Sequence, residues 1–218
     1  MKIAIDGPAG AGKSTVAKQL AADLGFVYID TGAMYRALTW KAIQKSLNLD
    51  DEDSLYELAK NTQIHFEYNS HGQKIICDDQ DVSAYIRSPA INAQVSKVAS
   101  KSLLRKVMVA QQRKLGEAIS VVMDGRDIGE YVLPDADYKF FLTASIEKRV
   151  IRRAQELKAS GYDIDNDVIA RDIIERDRSD SCREMGALKV LKDSIVIDTS
   201  DFNVHEVIAI IKSYLKED

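Results

Sequence analysis

Cysteine, proline and tryptophan are scarce here: two, three and one in 218 residues. Cys77 and Cys182 are too few and too far apart to build a disulfide framework. Neither has a histidine or cysteine partner at metal-ligand spacing, so both are expected as reduced thiols of a cytoplasmic protein. With so little proline there is no proline-rich linker, and no internal repeat or low-complexity tract is visible. An excess of positive charge is missing as well. Thirty Lys and Arg face 34 Asp and Glu, a net −4, which argues against a general nucleic-acid or membrane-surface binder. No apolar run approaches membrane-spanning length, and the first residues lack the basic and apolar regions of a secretory leader. The three histidines, His65, His71 and His205, fall in a predicted hairpin or in the last helix, so no strongly placed general base emerges. An Asn-Lys-x-Asp guanine signature is absent too, which counts against a GTPase switch.

What is present fits one compact domain with a sizeable core, since 45% of residues are hydrophobic and 29% charged. Its organising stretch is Gly7-Pro8-Ala9-Gly10-Ala11-Gly12-Lys13-Ser14-Thr15, which follows the apolar run Ile3-Ala4-Ile5 and Asp6. Gly, four residues, then Gly-Lys-Ser is the phosphate-binding loop pattern, and it needs a strand before it and a helix after it. Both are predicted, the helix from Val16, Leu20 and Leu24 on one face. Glycines let backbone N–H groups converge on an anion, and the helix adds its positive end. Lys13 is expected to reach the β- and γ-phosphates, and the Ser14 hydroxyl to ligate Mg²⁺.

Strand and helix patterns alternate along the chain, which predicts a parallel sheet of about five strands with helices on both faces. Predicted strands are 26–30, 119–123, 138–142 and 195–198, besides the first. Predicted helices run over 31–46, after Asp50 or Asp51, from Ser88-Pro89 through Gln111, 145–159, 165–178 and 204–215. Ile64, Phe66 and Tyr68 alternate, 69–72 is rich in turn formers, and Ile75-Ile76 resumes the strand signal. That predicts a small antiparallel β insert over about 63–83, with a short third strand near Val82.

Arginine is unevenly spread. Seven of twelve lie between 149 and 183: Arg149, Arg152, Arg153, Arg171, Arg176, Arg178 and Arg183. Asp172, Glu175, Asp177 and Asp180 are interleaved, so a solvated helix face explains part of the concentration. As a group following a phosphate loop, the arginines suit a mobile cap over a triphosphate, excluding water and neutralising charge. Arg36 follows the second strand and Arg126 the third, within Asp124-Gly125-Arg126-Asp127. In open parallel sheets the carboxyl ends of strands form the ligand crevice, so these arginines suit a second anionic substrate. Tyr35 reads equally as a core aromatic or as part of that site. An acceptor that is already a phosphate oxyanion needs no base, only positioning and neutralisation.

Taken together, these stretches resemble the bacterial cytidylate kinases of the nucleoside monophosphate kinase superfamily, over essentially the whole chain. The matching motifs are Ile5-Asp6-Gly7-Pro8 with Gly12-Lys13-Ser14, and Asp30-Thr31-Gly32-Ala33-Met34-Tyr35-Arg36. Asp124-Gly125-Arg126-Asp127-Ile128-Gly129 and Glu175-Arg176-Asp177 with Arg178, Asp180 and Arg183 complete the set. The resemblance implies a single domain with a core (1–30, 101–150, 184–218), a monophosphate-binding region with the β insert (31–100) and a helical lid (151–183). It implies ATP at 7–15, with Arg149 and Arg153 near it, and Lys13, Arg126, Arg176 and Arg183 as the catalytic groups. CMP would be held by Thr31, Tyr35, Arg36, Asp124, Arg126 and Arg183, with Ser96, Arg105 and Asp127 reading cytosine and Arg176 and Asp180 at the sugar. Thr31 stands where related families often carry serine or glycine.

The expected reaction is in-line transfer from ATP·Mg²⁺ to CMP or dCMP, giving ADP and CDP or dCDP, by a cytoplasmic monomer whose partners are small nucleotides rather than nucleic acid or membrane. Two alternatives stay open: a kinase for another small acceptor such as UMP or shikimate, and a nucleotide-dependent regulatory module.

Overall fold

The structure, a computed structural model, describes residues 1–69 and 72–215. Two compact units make up the chain: Met1–Tyr28 with Ala118–Asp218, and Ile29–Glu117.

The first unit is built on a five-stranded sheet ordered β2-β6-β1-β7-β8, where β1 is Lys2–Asp6, β2 Val27–Asp30, β6 Val121–Gly125, β7 Tyr138–Thr143 and β8 Ile195–Asp198. β1 lies between β6 and β7 and pairs with both in parallel, and β7 pairs in parallel with β8. The amide of Val27 joins β2 to this sheet through the Ser120 carbonyl at 3.1 Å. The strands are apolar runs because both of their faces are covered. Ile3, Ile5, Val122, Phe140 and Leu142 are buried against Val16 and Leu20 of helix α1 (Lys13–Leu24) and against Val207, Ile208 and Ile211 of helix α8 (Val204–Tyr214). Helices α6 (Ile146–Ala159) and α7 (Asn166–Ser181) pack on each other through Val150, Leu157, Ile169 and Ile173.

Local chemistry sets the helix ends. Gly25 closes α1 in the left-handed region at φ 69°. The side chains of Ser145 and Asp165 cap α6 and α7, accepting from Lys148 and Asp167 amides. Asn203 and Glu206 close a capping box on α8. The expected break at Gly161-Tyr162 separates α6 from α7, with Gly161 at φ 84°.

The second unit carries helices α2 (Thr31–Gln44), α3 (Glu52–Lys60), α4 (Pro89–Ala99) and α5 (Ser102–Leu115) and a three-stranded sheet β3-β4-β5. β3 (Ile64–Asn69) and β4 (Gly72–Cys77) pair antiparallel, and the short third strand is β5 (Gln80–Asp81). The turn-forming residues Ser70 and His71 lie outside the described residues. Met34, Leu38, Leu55, Val98, Leu104, Met108 and Ile75 form this unit's core. Ser88 starts α4 with Pro89 at its first turn, as the sequence suggests, but the helical stretch is divided in two. Lys101 sits in an extended conformation, and Ser100 spends its hydroxyl on the Lys97 carbonyl at 2.7 Å.

One element has no signature in the sequence: a single π-helical turn, Ile128–Val132, after β6. Among the described residues, no helix is long and apolar enough to cross a membrane.

Candidate functional site

In the first unit the loop between β1 and α1 curls back as the glycine spacing requires. Gly7 shows why: its φ is +147°, and a Cβ there would stand 2.0 Å from the Leu142 carbonyl oxygen. Lys13 opens α1 and folds its amine into the loop, donating to the Pro8 carbonyl at 2.7 Å. Burial, followed by the nearby Arg126 guanidinium, holds that amine well below its ordinary pKa, while Asp124 and Asp6 act in the opposite sense. A buried amine held at this cost, at the N-terminus of α1, suits a negatively charged ligand.

The strand register sets what stands next to the loop. Asp6 at the end of β1 lies opposite Gly125 at the end of β6. Asp124 and Gly125, which follow the predicted strand 119–123, are the last two residues of the observed one. Asp124 accepts from the Ser14 hydroxyl at 2.7 Å and from the Tyr28 hydroxyl at 2.8 Å, one on each oxygen. Among the described residues, no group of three or more His, Cys, Asp or Glu could hold a metal by itself. The Ser14–Asp124 corner still suits Mg²⁺, which commonly takes one or two protein oxygens and fills its remaining positions with phosphate and water.

Asp180 of α7 is buried at the centre of an arginine group. Arg126 Nε donates to its Oδ2 at 2.7 Å, Arg183 donates to Oδ1, and Arg176 Nε lies 4.0 Å from Oδ2. Burial would raise the Asp180 carboxyl, but the guanidiniums of Arg126, Arg183 and Arg176 outweigh it and hold it well below the usual carboxylate range. Burial would likewise weaken the Arg126 charge, and Asp180 more than restores it. Three guanidiniums around one carboxylate make a positively charged cluster, suited to the charge of a transferring phosphoryl group. Asp127 is buried in the same stretch.

Arg149 and Arg153 differ in their surroundings. Arg149 is buried and donates to the Ala144 and Ala9 carbonyls, both at 3.1 Å, and to Asp177 at 2.5 Å. It therefore ties the phosphate loop to α6 and α7. Arg153 pairs with Glu156 at 3.0 Å on the outer face of α6.

The second unit brings together the other expected acceptor residues. Asp30 caps α2, accepting from the Ala33 amide at 2.7 Å, so the buried Thr31 opens that helix. Arg36 Nη2 lies 3.4 Å from Asp30 Oδ2, with Arg87 Nη2 at 3.5 Å from the same atom. Gly32 leaves room for this pair: a Cβ there would come within 3.3 Å of Arg36 Nη1. Arg105 is 1% exposed, donates to the Ala99 carbonyl at 2.9 Å and lies 5.2 Å from the centroid of the buried Tyr35 ring. Ser96 lies on α4, half-buried.

Several contacts at these sites had no sequence signature, even where a residue stands within a motif. Asp6 accepts from the Ile128 and Gly129 amides. Tyr28 and Arg87 hold Asp124 and Asp30. Arg152 donates to Thr199, whose hydroxyl stands 3.1 Å from the Ala11 carbonyl, so a second arginine of α6 also steadies the loop. Asp6 and Tyr28 lie on predicted strands, Thr199 just after one and Arg152 in the arginine-rich stretch, whereas Arg87, just before Ser88-Pro89, carries no such signal.

The comparisons agree among themselves. A family model for cytidylate kinase matches residues 3–217. A cytidylate kinase of Caldanaerobacter subterraneus subsp. tengcongensis is 49% identical over 208 residues, spanning 95% of this chain and 91% of its own. One from Geobacillus sp. (strain WCH70) is 48% identical over 217 residues, spanning 100% and 97%. Among solved structures, an uncharacterized protein from Eubacterium ventriosum shares the fold, with a TM-score of 0.53, 15% identity, and coverage of 98% and 97%.

Proposed function

The chain belongs to the cytidylate kinase family, and we propose that it transfers the γ-phosphoryl group of ATP to CMP and dCMP. A phosphate oxygen of the acceptor attacks the γ-phosphorus, the bond to the β,γ-bridging oxygen breaks, and CDP or dCDP and ADP leave. The acceptor oxygen is already anionic at neutral pH, so no residue needs to remove a proton. His65 lies half-buried on β3 of the second unit and His205 exposed on α8.

Each group then has a role within its own unit. The 7–15 loop and Lys13 hold the ATP phosphates, with Arg149 and Arg152 steadying the loop from behind. Ser14 and Asp124 would hold Mg²⁺, whose charge offsets that developing on the phosphoryl oxygens. Arg126, Arg176 and Arg183, gathered on Asp180, supply guanidinium donors for the transferring group and for the acceptor. Thr31, Arg36 and Tyr35 belong to the monophosphate site. Ser96, Arg105 and Asp127 would read cytosine, whose exocyclic amine donates and whose N3 and O2 accept. The enzyme is read as a cytoplasmic monomer acting on small nucleotides, and Cys77 and Cys182 are free thiols.

The observation that carries this reading is the Arg126–Asp180–Arg183 cluster in the same unit as a phosphate loop with a buried Lys13. Coupled ADP release with CMP, dCMP, UMP, AMP and shikimate tests it. Turnover with CMP and dCMP well above the others is the expected result. Preference for another acceptor, or ADP release that ignores all of them, overturns it.

A further inference from the structure

Asp6 ends the strand that feeds the phosphate loop, yet its side chain faces a different element. It is 5% exposed, and both oxygens accept backbone amides of the π-helical turn: Oδ1 from Ile128 at 2.8 Å and Oδ2 from Gly129 at 2.9 Å. Amides at the start of a helical turn have no partner within it, and in a π turn the ladder begins even later. The Asp6 carboxylate supplies both partners. A buried carboxylate is costly: burial pushes Asp6 up to about 6, against the two amides and Lys13, with Asp127 raising it further. An asparagine of the same shape would avoid that cost but would turn its NH₂ toward one of the two N–H donors.

Arg126 and Asp127 stand directly before the clamped amides. Register places Asp6 opposite Gly125, the residue before Arg126. The turn is confined on its other side as well, because a Cβ on Gly129 would meet Lys139 Cδ at 3.0 Å and Leu191 Cδ1 at 3.2 Å. Asp6 also helps to sustain the Lys13 charge, behind Asp124 in effect, but both of its oxygens are spent on the turn. We propose that Asp6 is a positioning residue for the acceptor: by clamping the Ile128 and Gly129 amides, it fixes the turn that aims Arg126 and Asp127. The inference rests on the reading of Arg126 and Asp127 as acceptor contacts.

Asp6→Asn in the full chain tests it through the acceptor's KM and kcat, beside the affinity for a non-hydrolysable ATP analogue. A displaced loop is expected to lower kcat/KM for CMP by about tenfold or more, since misplacement by an ångström can cost on the order of 10²-fold. Affinity for the ATP analogue is expected to fall by much less than the acceptor's kcat/KM, because Asp124 still sustains the Lys13 charge. Gly129→Ala pushes the same turn from the opposite side and is expected to show the same split. The double variant is expected to lose less than the product of the two single losses, because both act on one clamp. An Asn variant with wild-type acceptor kinetics overturns the inference, as does one whose loss is matched in ATP affinity. Where Asp6→Asn fails to fold, Gly129→Ala alone decides on the same criteria. A wild-type chain that prefers another acceptor defeats the CMP reading, and Asp6 is then judged with that acceptor. One that uses no acceptor removes both.

Discussion

Ser14 donates its hydroxyl to Asp124 at 2.7 Å, linking the first turn of α1 to the end of β6. Tyr28 donates to the other oxygen, and the Lys13 and Arg126 charges act on the same carboxylate. The Ser14–Asp124 corner is where Mg²⁺ is proposed to bind. Asp124→Asn is expected to raise the Mg²⁺ concentration needed for half-maximal activity and to lower kcat by roughly 10²-fold, within the range for loss of one preorganised charge-stabilising group. A magnesium titration of both proteins checks this. An unchanged Mg²⁺ requirement would confine Asp124 to bracing Ser14 and Tyr28.

Lys13 is a buried amine whose charged neighbours are two arginines, Arg126 and Arg176, and two carboxylates, Asp124 and Asp6, with its proton bonded to the loop's own Pro8 carbonyl. Lys13→Ala is expected to cost about 10²- to 10³-fold in kcat. The thermal midpoint is expected to hold or rise, because an amine buried at this cost no longer needs to be desolvated. Steady-state kinetics and a melt on one preparation separate the two effects.

Much of this was legible in advance. The phosphate loop is contiguous and its mechanism is local, so spacing was enough to find it. The N-caps at Ser145 and Asp165 depend on neighbours within three residues and followed from the sequence, and at α3 Asp51 is the cap of the two candidates, Asp50 and Asp51. Arg149 on Ala9, Arg152 on Thr199 and Tyr28 on Asp124 did not, because 140, 47 and 96 residues separate those partners. Only the strand order β2-β6-β1-β7-β8 brings them together, and alternation of strands and helices does not specify that order. The π-helical turn was hidden for the same reason: its partner, Asp6, lies 122 residues away.

Arg126 spends its Nε on Asp180 and contributes to the depressed pKa of Lys13. Arg126→Ala is expected to raise KM for CMP by more than tenfold, the loss of a charge-assisted contact of about 1.5–3 kcal/mol. Binding of an ATP analogue is expected to persist, since Lys13 loses one of the charges that depress its proton affinity, burial remaining the larger cause. Asp180 keeps Arg176 and Arg183 nearby, so the variant is expected to fold. Calorimetric titration with each nucleotide separates the two sites, and unchanged CMP kinetics would remove Arg126 from the acceptor site.

Asp6 and Asp180 are both buried, but they pull the pH dependence of stability in opposite directions. The Asp180 carboxyl is depressed, so its stabilisation is present above the ordinary value of 3.8 and is lost only as pH falls below it. Asp6 is raised from 3.8 to about 6, so the folded chain holds that proton more tightly than the unfolded one. Its contribution is complete below pH 3.8 and is lost as pH climbs to about 6. The charged groups facing it are Lys13 of α1 and Asp127 of the clamped loop. A shift of this size corresponds to roughly 3 kcal/mol. Asp6→Asn has no such proton, so urea unfolding of the two proteins across pH 4–7 isolates the contribution while other titrations cancel. The variant is expected to gain on the wild type by on the order of 3 kcal/mol between pH 4 and 6, with no further gain above. A difference that is flat across that window would mean that the carboxylate titrates normally, and that the clamp on Ile128 and Gly129 is made without the burial cost.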